Sequence, residues 1–210
     1  TASQSLVITN SANVEIGGSQ AAQRNLFGFC SDSCISASGS GTTDLSVKGN
    51  YIGLGADGVE SLNGIELGGV GIRLYNNVSY ADIGGAASGE GNSIEHNMRG
   101  ALAVEDSNHV TIKGNRVLMN FYSDSHGVAG LDGGIFLGGV SDVVVGSVGS
   151  GRNIISGNRL GVLRISNSTA TNSASNNIKV EGNYMGVMDD GTTPFPIIMG
   201  GFYIDGSTSN

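Results

Sequence analysis

One short segment recurs three times along this chain, and its recurrence constrains the fold more than any other feature. Val-Lys-Gly-Asn-Tyr-Ile-Gly at 47–53 returns in closely similar form at 112–117 and at 180–186. The Gly-Asn pairs of the three copies are 65 and 68 residues apart. Self-similarity at a fixed period is the sequence signature of a repeat architecture. We therefore expect one structural unit to be repeated along the whole chain.

Short apolar segments alternate along the chain, and each is bounded by Gly, Asn, Ser or Asp, as β-strands are. They follow a cycle of three, and the third segment of each cycle comes directly after an asparagine. This rhythm predicts an all-β fold, a single parallel β-helix of about six coils with three short strands per coil. Residues 1–210 are expected to form one solenoid domain within a larger protein, since the pattern is under way at both ends.

Charge and composition exclude several classes of function. The net charge is −8 and only 13% of residues are charged, so the chain lacks the basic stripe that a nucleic-acid binder needs. No apolar run approaches the roughly 18–20 residues of a membrane span, so no membrane insertion is expected. Mild acidity and few lysines suit a secreted protein. We expect an extracellular or cell-surface location and no cofactor.

Six asparagines occupy the same corner of successive coils and are predicted to stack. Amides in such a column can hydrogen-bond up and down it, as asparagine ladders do in cross-β assemblies. In the Gly-Asn copies, the preceding glycine supplies the positive φ that a tight corner needs. Turn propensity alone would explain Gly and Asn at corners, but not their fixed phase. The predicted ladder consists of Asn25, Asn50, Asn92, Asn115, Asn153 and Asn183.

The segment Gly-Asn-Tyr-Ile-Gly-Leu-Gly-Ala-Asp-Gly at 49–58 resembles the repeats of the right-handed parallel β-helix family, the pectate-lyase-like solenoids. Residues 83–94 and 152–158 carry similar motifs, and the resemblance covers nearly the whole chain. It implies a right-handed coil, and such motifs are common in large secreted or surface proteins of bacteria. The resembled architecture carries lyases, hydrolases, epimerases, adhesins and passive stalks alike, so it predicts the fold and not the activity.

The first strand of each coil is predicted to carry a ligand-binding row on its outer face. If the apolar residues of these strands point inward, the residues between them point outward. Arg73 and Arg164 then alternate with Phe136 and Tyr203 on one flat face. Guanidinium groups pair with carboxylates and aromatic rings lie under sugars, so a polysaccharide or cell-surface glycan is the expected partner. Polysaccharide-active members of the resembled family use a comparable face; a solvated sheet surface is the alternative.

Long connections follow the third strand of alternate coils, at 53–70, 118–133 and 186–200, and loops of this length are often functional. The middle connection contains the catalytic candidates Asp124, His126 and Asp132, which would supply a base for proton abstraction. Polar packing over a coil edge is the alternative, and Asp-x-His alone is a poor metal pattern, so no metal is expected. The Asp pair with Gly-His-Gly that resembled polygalacturonases would show is missing.

Cys30 and Cys34 are the only cysteines, and two cysteines four apart in a secreted-looking chain favour a small local disulfide. A crosslink over so short a loop removes little chain entropy, because stabilisation grows with loop length. His96 and His109 lie beside coil corners and are interpreted as polar turn residues.

Three functions remain open on the sequence. The first is a non-enzymatic structural, adhesive or glycan-contacting module of a secreted or cell-surface protein. The second is a polysaccharide-active enzyme, a lyase, hydrolase or epimerase, with its site on the first-strand face and the adjacent long loops. The third is a self-assembling rod, because the open ends of a solenoid expose unpaired strand edges that allow end-to-end self-association.

Overall fold

The computed structural model describes residues 4–62, 69–120, 133–198 and 200–206. Within these ranges the chain forms 19 β-strands, and its helical segments are 3-10 turns at Ala21–Gln23 and Gly149–Gly151. No described helix is long and apolar enough to cross a membrane. The strands form three parallel sheets, since each strand pairs with the strand three places further along the chain.

Each sheet collects one strand from every coil. Sheet A contains β1 (Leu6–Thr9), β4 (Ser33–Ser38), β7 (Val70–Tyr75), β10 (Leu102–Glu105), β13 (Ile135–Gly138), β16 (Leu163–Ser166) and β19 (Phe202–Asp205). Sheet B contains β2 (Glu15–Gly17), β5 (Thr43–Lys48), β8 (Ser79–Gly84), β11 (Asn108–Lys113), β14 (Ser141–Val145) and β17 (Asn176–Val180). Sheet C contains β3 (Leu26–Phe27), β6 (Tyr51–Ile52), β9 (Ser93–Glu95), β12 (Arg116–Leu118), β15 (Ile154–Ser156) and β18 (Tyr184–Met185). The predicted fold is confirmed: a right-handed parallel β-helix of about six coils, with three strands per coil.

Successive coils stack in register, so similar residues form columns through the interior. In sheet A, Ile35 pairs with Ile72 and Ile72 with Leu102, and the column continues through Ile135 and Leu163. All five side chains are buried. Columns of this kind from the three sheets meet in one continuous apolar core. Because side chains alternate between the two faces of a strand, the residues between these apolar positions lie on the outer surface of the sheet.

The last strand, β19, is more exposed than the strands before it. Its core-facing residues Phe202 and Ile204 pair with Leu163 and Ile165, which are buried. Phe202 and Ile204 themselves are 47% and 74% exposed. Within the described residues, no strand pairs with the far side of β19. This end of the described solenoid therefore presents an apolar surface and an unpaired strand edge.

The six predicted asparagines lie in one continuous ladder between sheets B and C. In each of the first five, Nδ2 donates to the Oδ1 of the asparagine one coil further on, at 2.9–3.1 Å. The backbone N–H of each donor asparagine reaches the same oxygen. Nδ2 also bonds a backbone carbonyl, as from Asn115 to Ile83 at 2.8 Å. The central four, from Asn50 to Asn153, are at most 1% exposed, so their amides are satisfied entirely within the protein.

A second, shorter ladder was not predicted from the sequence. Asn97 donates through Nδ2 to Asn120 at 3.0 Å, and Asn120 donates in the same way to Asn158 at 3.1 Å. All three are fully buried. Each follows an asparagine of the first ladder by five residues, and this constant spacing is the signal that would have identified them.

Glycine turns the corner immediately before the ladder asparagine. Gly114 has φ +67°, and Gly49 and Gly182 have φ +65° and +67° at the same corner. A Cβ on Gly114 would lie 2.1 Å from the backbone oxygen of Gly85 in the preceding coil. The corner therefore needs glycine for its backbone conformation and also for the space between two coils.

Cys30 and Cys34 form a disulfide, and both residues are fully buried. Cys30 lies five residues after Asn25, which is the position that the second-ladder asparagines occupy in later coils. In the first coil, a covalent crosslink therefore takes the place where later coils carry a buried amide.

Candidate functional site

The four residues predicted to bind a ligand lie in one row on the outer face of sheet A. Arg73 pairs with Ala103, Ala103 with Phe136, Phe136 with Arg164, and Arg164 with Tyr203. Neighbouring strands are about 4.8 Å apart, so Phe136, Arg164 and Tyr203 follow one another at that spacing, and Arg73 lies two strands from Phe136. The register therefore brings the four residues together on one face, but their side chains differ in charge pairing and in exposure.

The two arginines of the row pair with carboxylates of the protein itself. Arg73 donates through Nε and Nη2 to Glu105 Oε2, at 3.2 and 2.9 Å. Arg164 donates to both carboxylate oxygens of Asp205, at 3.2 and 2.7 Å. Each acid lies one coil further on, two residues beyond the strand partner of its arginine, which makes it a diagonal neighbour on the same face. The positive charge expected to attract an acidic glycan is therefore balanced within the row.

The two aromatic residues of the row are not equally accessible. Phe136 was expected to be open to a ligand, but only 2% of it is exposed, and it packs with Val70 and Ala103 in a small cluster outside the main core. Its ring lies over Gly138, where an added Cβ would come within 2.9 Å of the ring atoms. The absence of a side chain at Gly138 lets the ring lie flat on its own strand. Tyr203 is 46% exposed and keeps an accessible ring.

The predicted catalytic candidates Asp124, His126 and Asp132 lie outside the described residues. In the part of the chain that is described, no group of three or more His, Cys, Asp or Glu side chains is arranged to hold a metal ion. The two other long connections are described in large part, and both fold into hairpins.

The hairpins have the same construction. Each is closed by an antiparallel bridge, Leu54 with Ser61 in one and Val187 with Pro194 in the other. At one tip, the backbone N–H groups of Glu60 and Val59 bond the carboxylate of Asp57 and lower its pKa. At the other tip, the Thr193 hydroxyl and two backbone N–H groups lower the pKa of Asp190 to about 2. The carboxylates of both aspartates therefore stabilise the hairpin turns.

Arg116 ties the second hairpin to the body of the solenoid. Its Nη1 donates to both oxygens of Asp189, at 2.7 and 2.8 Å, and its Nε donates to Glu95 Oε1 at 3.1 Å. Only 7% of Glu95 is exposed. Burial raises the pKa of Glu95 above its ordinary value, while the charge and hydrogen bond of Arg116 oppose the rise.

Replacing Arg116 with methionine is expected to lower the free energy of unfolding by about 1–3 kcal/mol at pH 7, because the buried Glu95 carboxylate loses its partner. A carboxyl whose pKa is raised on folding destabilises the protein as the pH rises through the folded-state pKa. The penalty should therefore shrink below pH 4.5, the ordinary value for Glu. Chemical unfolding of the wild type and the variant at pH 7 and at pH 4 measures this loss of stability. Adding Glu95→Gln to the variant should restore stability at pH 7, and a penalty independent of pH would contradict this account.

An open groove on the outer face of sheet B was not predicted. Its volume is about 460 Å³, and it crosses the coils that contain β5, β8, β11 and β14. These strands, rather than loops, carry every residue that lines it. We call it the sheet-B groove, and the residues that characterise it are Asp44, Ser46, Tyr80, Asp82, His109 and Asp142.

Tyr80 of the groove has a backbone conformation that is unfavourable for tyrosine. In all six coils, one position in the sheet-B strand or, in the first coil, just before it has a φ between 50° and 57°. Four coils place Asn or Asp there, which tolerate this left-handed region, and two place Tyr80 and His109. For a bulky residue such as tyrosine, this backbone conformation is an outlier. Strained backbone of this kind clusters at functional sites, where the surrounding structure holds it.

The rings of Tyr80 and His109 stack on each other. Their centroids are 4.6 Å apart and their planes differ by 26°. Tyr80 is 57% exposed, so the groove offers an accessible aromatic surface. The rings of Tyr51 and Tyr184 are less accessible, because an arginine guanidinium lies over each ring, 3.9 and 3.8 Å from the centroids.

The groove carries carboxylates and no cation. Asp44, Asp82 and Asp142 all line it, and none of the described lining residues is Lys or Arg. Asp44 accepts a bond from the Thr43 hydroxyl at 2.9 Å, and Asp142 accepts one from the Asn177 amide. The carboxylate of Asp82 is exposed and has no hydrogen-bond or ion-pair partner in the described structure. The lining of the groove therefore combines an aromatic surface with three carboxylates.

Sequence reasoning interpreted His109 as a turn residue and did not single out Tyr80. The available signal was positional, because Tyr and His interrupt a column that is otherwise Asn and Asp. These residues can be aligned in one column only when the register of the sheet B strands is known.

No protein-family model, curated protein or solved structure matches this chain.

Proposed function

We propose that this chain is a non-enzymatic, glycan-contacting module of a secreted or cell-surface protein. The observation that carries the proposal is the sheet-B groove, in which the stacked rings of Tyr80 and His109 lie beside three carboxylates. Aromatic faces provide a flat apolar surface for a sugar ring, and carboxylate oxygens accept hydrogen bonds from its hydroxyl groups. A shallow, open groove on a flat sheet suits a long polymer better than a small enclosed molecule.

The frame beneath the groove supports a role in holding a contact surface steady. The groove residues lie on four consecutive parallel strands; the first asparagine ladder runs through all four of these coils and the second through three of them. Sites built on regular elements are positioned more accurately than sites on loops. A surface protein that must present a binding face at a fixed distance and angle gains from such a rod.

We also propose a family for this chain. We assign it to the pectate-lyase-like right-handed β-helix repeats of bacterial surface and secreted proteins, on the motif at 49–58 and the three-sheet coil. On this assignment, adhesion or passive extension is the role, and polysaccharide is the partner.

The proposal is tested on an array of immobilised polysaccharides and cell-surface glycans. We expect the folded chain to be retained by a subset of the glycans without releasing oligosaccharides. Tyr80→Asn should abolish retention, because it removes the ring and leaves a residue that suits the backbone conformation. Glu60→Gln, which removes a charge from an exposed hairpin, is the matched control and should bind as the wild type does. Retention by no glycan, or binding unaffected by Tyr80→Asn, would refute the proposal.

A polysaccharide-active enzyme is the second candidate, and one observation favours it. Glu95 is a buried carboxyl whose pKa is raised, and Arg116 links it to Asp189 on the hairpin. A raised pKa keeps a carboxyl protonated for general-acid catalysis. Mass spectrometry of polysaccharide incubated with the chain decides the matter, since shortened or unsaturated products that disappear in Glu95→Gln would favour the enzyme.

Self-assembly is the third candidate, favoured by the exposed Phe202 and Ile204 at one end of the solenoid. Replacing both with serine should then abolish any concentration-dependent rise in light scattering. Filaments that persist in this double variant would speak against end-to-end stacking through β19.

A further inference from the structure

We infer that the sheet-B groove selects glycans that carry free amino groups, of the glucosamine-polymer class, over neutral and acidic glycans. This inference rests on the proposed function and specifies the ligand of the same groove. Three features of the groove support it: the sign of its charge, its aromatic surface, and the spacing of its carboxylates along the solenoid.

The negative charge of the groove disfavours acidic glycans. Asp44, Asp82 and Asp142 contribute three carboxylates, and none of the described lining residues is Lys or Arg. Carboxylates and ammonium groups attract several-fold more strongly at a partly shielded surface than in bulk water. A polyuronate would meet repulsion here, and a neutral glycan would gain hydrogen bonds alone. An ammonium group near Asp82 would supply the ionic partner that this carboxylate lacks within the described residues.

The stacked rings of Tyr80 and His109 favour an amino sugar over a cation that has no sugar ring. A pyranose ring presents a flat face of C–H groups that packs on an aromatic ring, and an ammonium group over such a ring gains a cation–π interaction. Tyr80 is exposed and stands on the same strand as Asp82, two residues before it. One sugar unit can therefore lie on the ring of Tyr80 while its amino group reaches a neighbouring carboxylate.

The carboxylates are distributed along the solenoid and do not converge on one point. Asp44 lies on β5, Asp82 on β8 and Asp142 on β14, so the outer two are three coils, or about 14 Å, apart. This spread fits a polymer that repeats its positive charge along its length. A single metal ion would need the oxygens to converge, and no such group of ligands is present in the described residues.

The test compares two oligosaccharides, one with free amino groups and one in which every amino group is acetylated. Isothermal titration at pH 7 would use a glucosamine hexamer and an N-acetylglucosamine hexamer with the same linkage and length. We expect the glucosamine hexamer to bind at least tenfold more tightly, with an affinity that falls as salt is added. Asp82→Asn should remove most of that preference, and Tyr80→Asn should weaken binding of both hexamers. Glu60→Gln should change neither, and thermal melting checks that every variant is folded.

Each contrary outcome identifies what has failed. Equal affinity for the two hexamers, with both lost in Tyr80→Asn, would overturn the amino-sugar inference and leave the glycan-contacting function standing. Equal weakening by Asp82→Asn and Glu60→Gln would reduce the effect to net charge and overturn the inference as well. Poly-lysine that binds as tightly as the glucosamine hexamer, in wild type and in Tyr80→Asn alike, would replace the sugar with a cationic peptide. Binding of neither hexamer, together with retention by no glycan on the array, would refute the proposed function itself.

Discussion

Replacing Asn115 with alanine is expected to lower the free energy of unfolding by about 4 kcal/mol. Oδ1 of Asn115 accepts bonds from both the backbone N–H and the Nδ2 of Asn92, at 3.1 and 2.9 Å. Without that oxygen, the buried backbone N–H of Asn92 has no acceptor and its Nδ2 keeps only the bond to the Val47 carbonyl at 2.8 Å. Each unpaired N–H costs about 1–3 kcal/mol. Guanidinium chloride unfolding followed by circular dichroism measures the change.

Asn25 provides the matched control for this prediction, because it is the exposed first member of the same ladder. Asn25→Ala removes one donor from the Oδ1 of Asn50, but the backbone N–H of residue 25 still bonds that oxygen. The expected loss is about 1 kcal/mol or less. Similar losses at Asn115 and Asn25 would mean that the ladder follows the fold without stabilising it.

Replacing Gly114 with alanine is expected to cost about 3–5 kcal/mol, through two causes that can be separated. Its φ of +67° is strained for any residue with a Cβ, which costs about 1–2 kcal/mol. In addition, the new Cβ would lie 2.1 Å from the backbone oxygen of Gly85, so one of two stacked coils would have to move. Chemical unfolding again provides the measurement.

Two other glycines separate these causes. Gly149 has φ +70°, but an added Cβ would meet nothing within 4 Å, so Gly149→Ala should cost only the conformational strain of about 1–2 kcal/mol. Gly201 also has open space and lacks the left-handed φ, so Gly201→Ala should stay within about 0.5 kcal/mol of the wild type. If Gly114→Ala is no worse than Gly149→Ala, the coils are not packed as tightly at the corner as the structure indicates.

The parts of the structure that follow from periodicity were predictable from the sequence. The strand rhythm specifies three parallel sheets, and a fixed phase of asparagine in each coil places Asn25 to Asn183 in one column. The row from Arg73 to Tyr203 follows from alternation within strands and register between them. Each of these features depends on position along the chain, which the sequence records directly.

The features that were missed depend on what neighbouring coils place beside a residue. Phe136 is buried because Gly138 leaves room for its ring, and Arg73 is neutralised because Glu105 lies diagonally across the next strand. The sheet-B groove requires the left-handed backbone of Tyr80 and the stacking of its ring on His109. None of these relations follows from hydrophobic alternation alone, and each needs the exact pairing of strands.

The first asparagine ladder also gives the solenoid a direction. Every amide in it presents its N–H groups toward the C-terminal coils and its oxygen toward the N-terminal coils, from Asn25 to Asn183. Aligned peptide dipoles add up along a helix, and the aligned side-chain amides of this column add up in the same way. A coil stacked beyond Asn183 continues the column only if it offers an oxygen, as the Asn25 end of a second rod would. Contact between two like ends sets oxygen against oxygen, or donor against donor, so rods joined through this column must all point the same way.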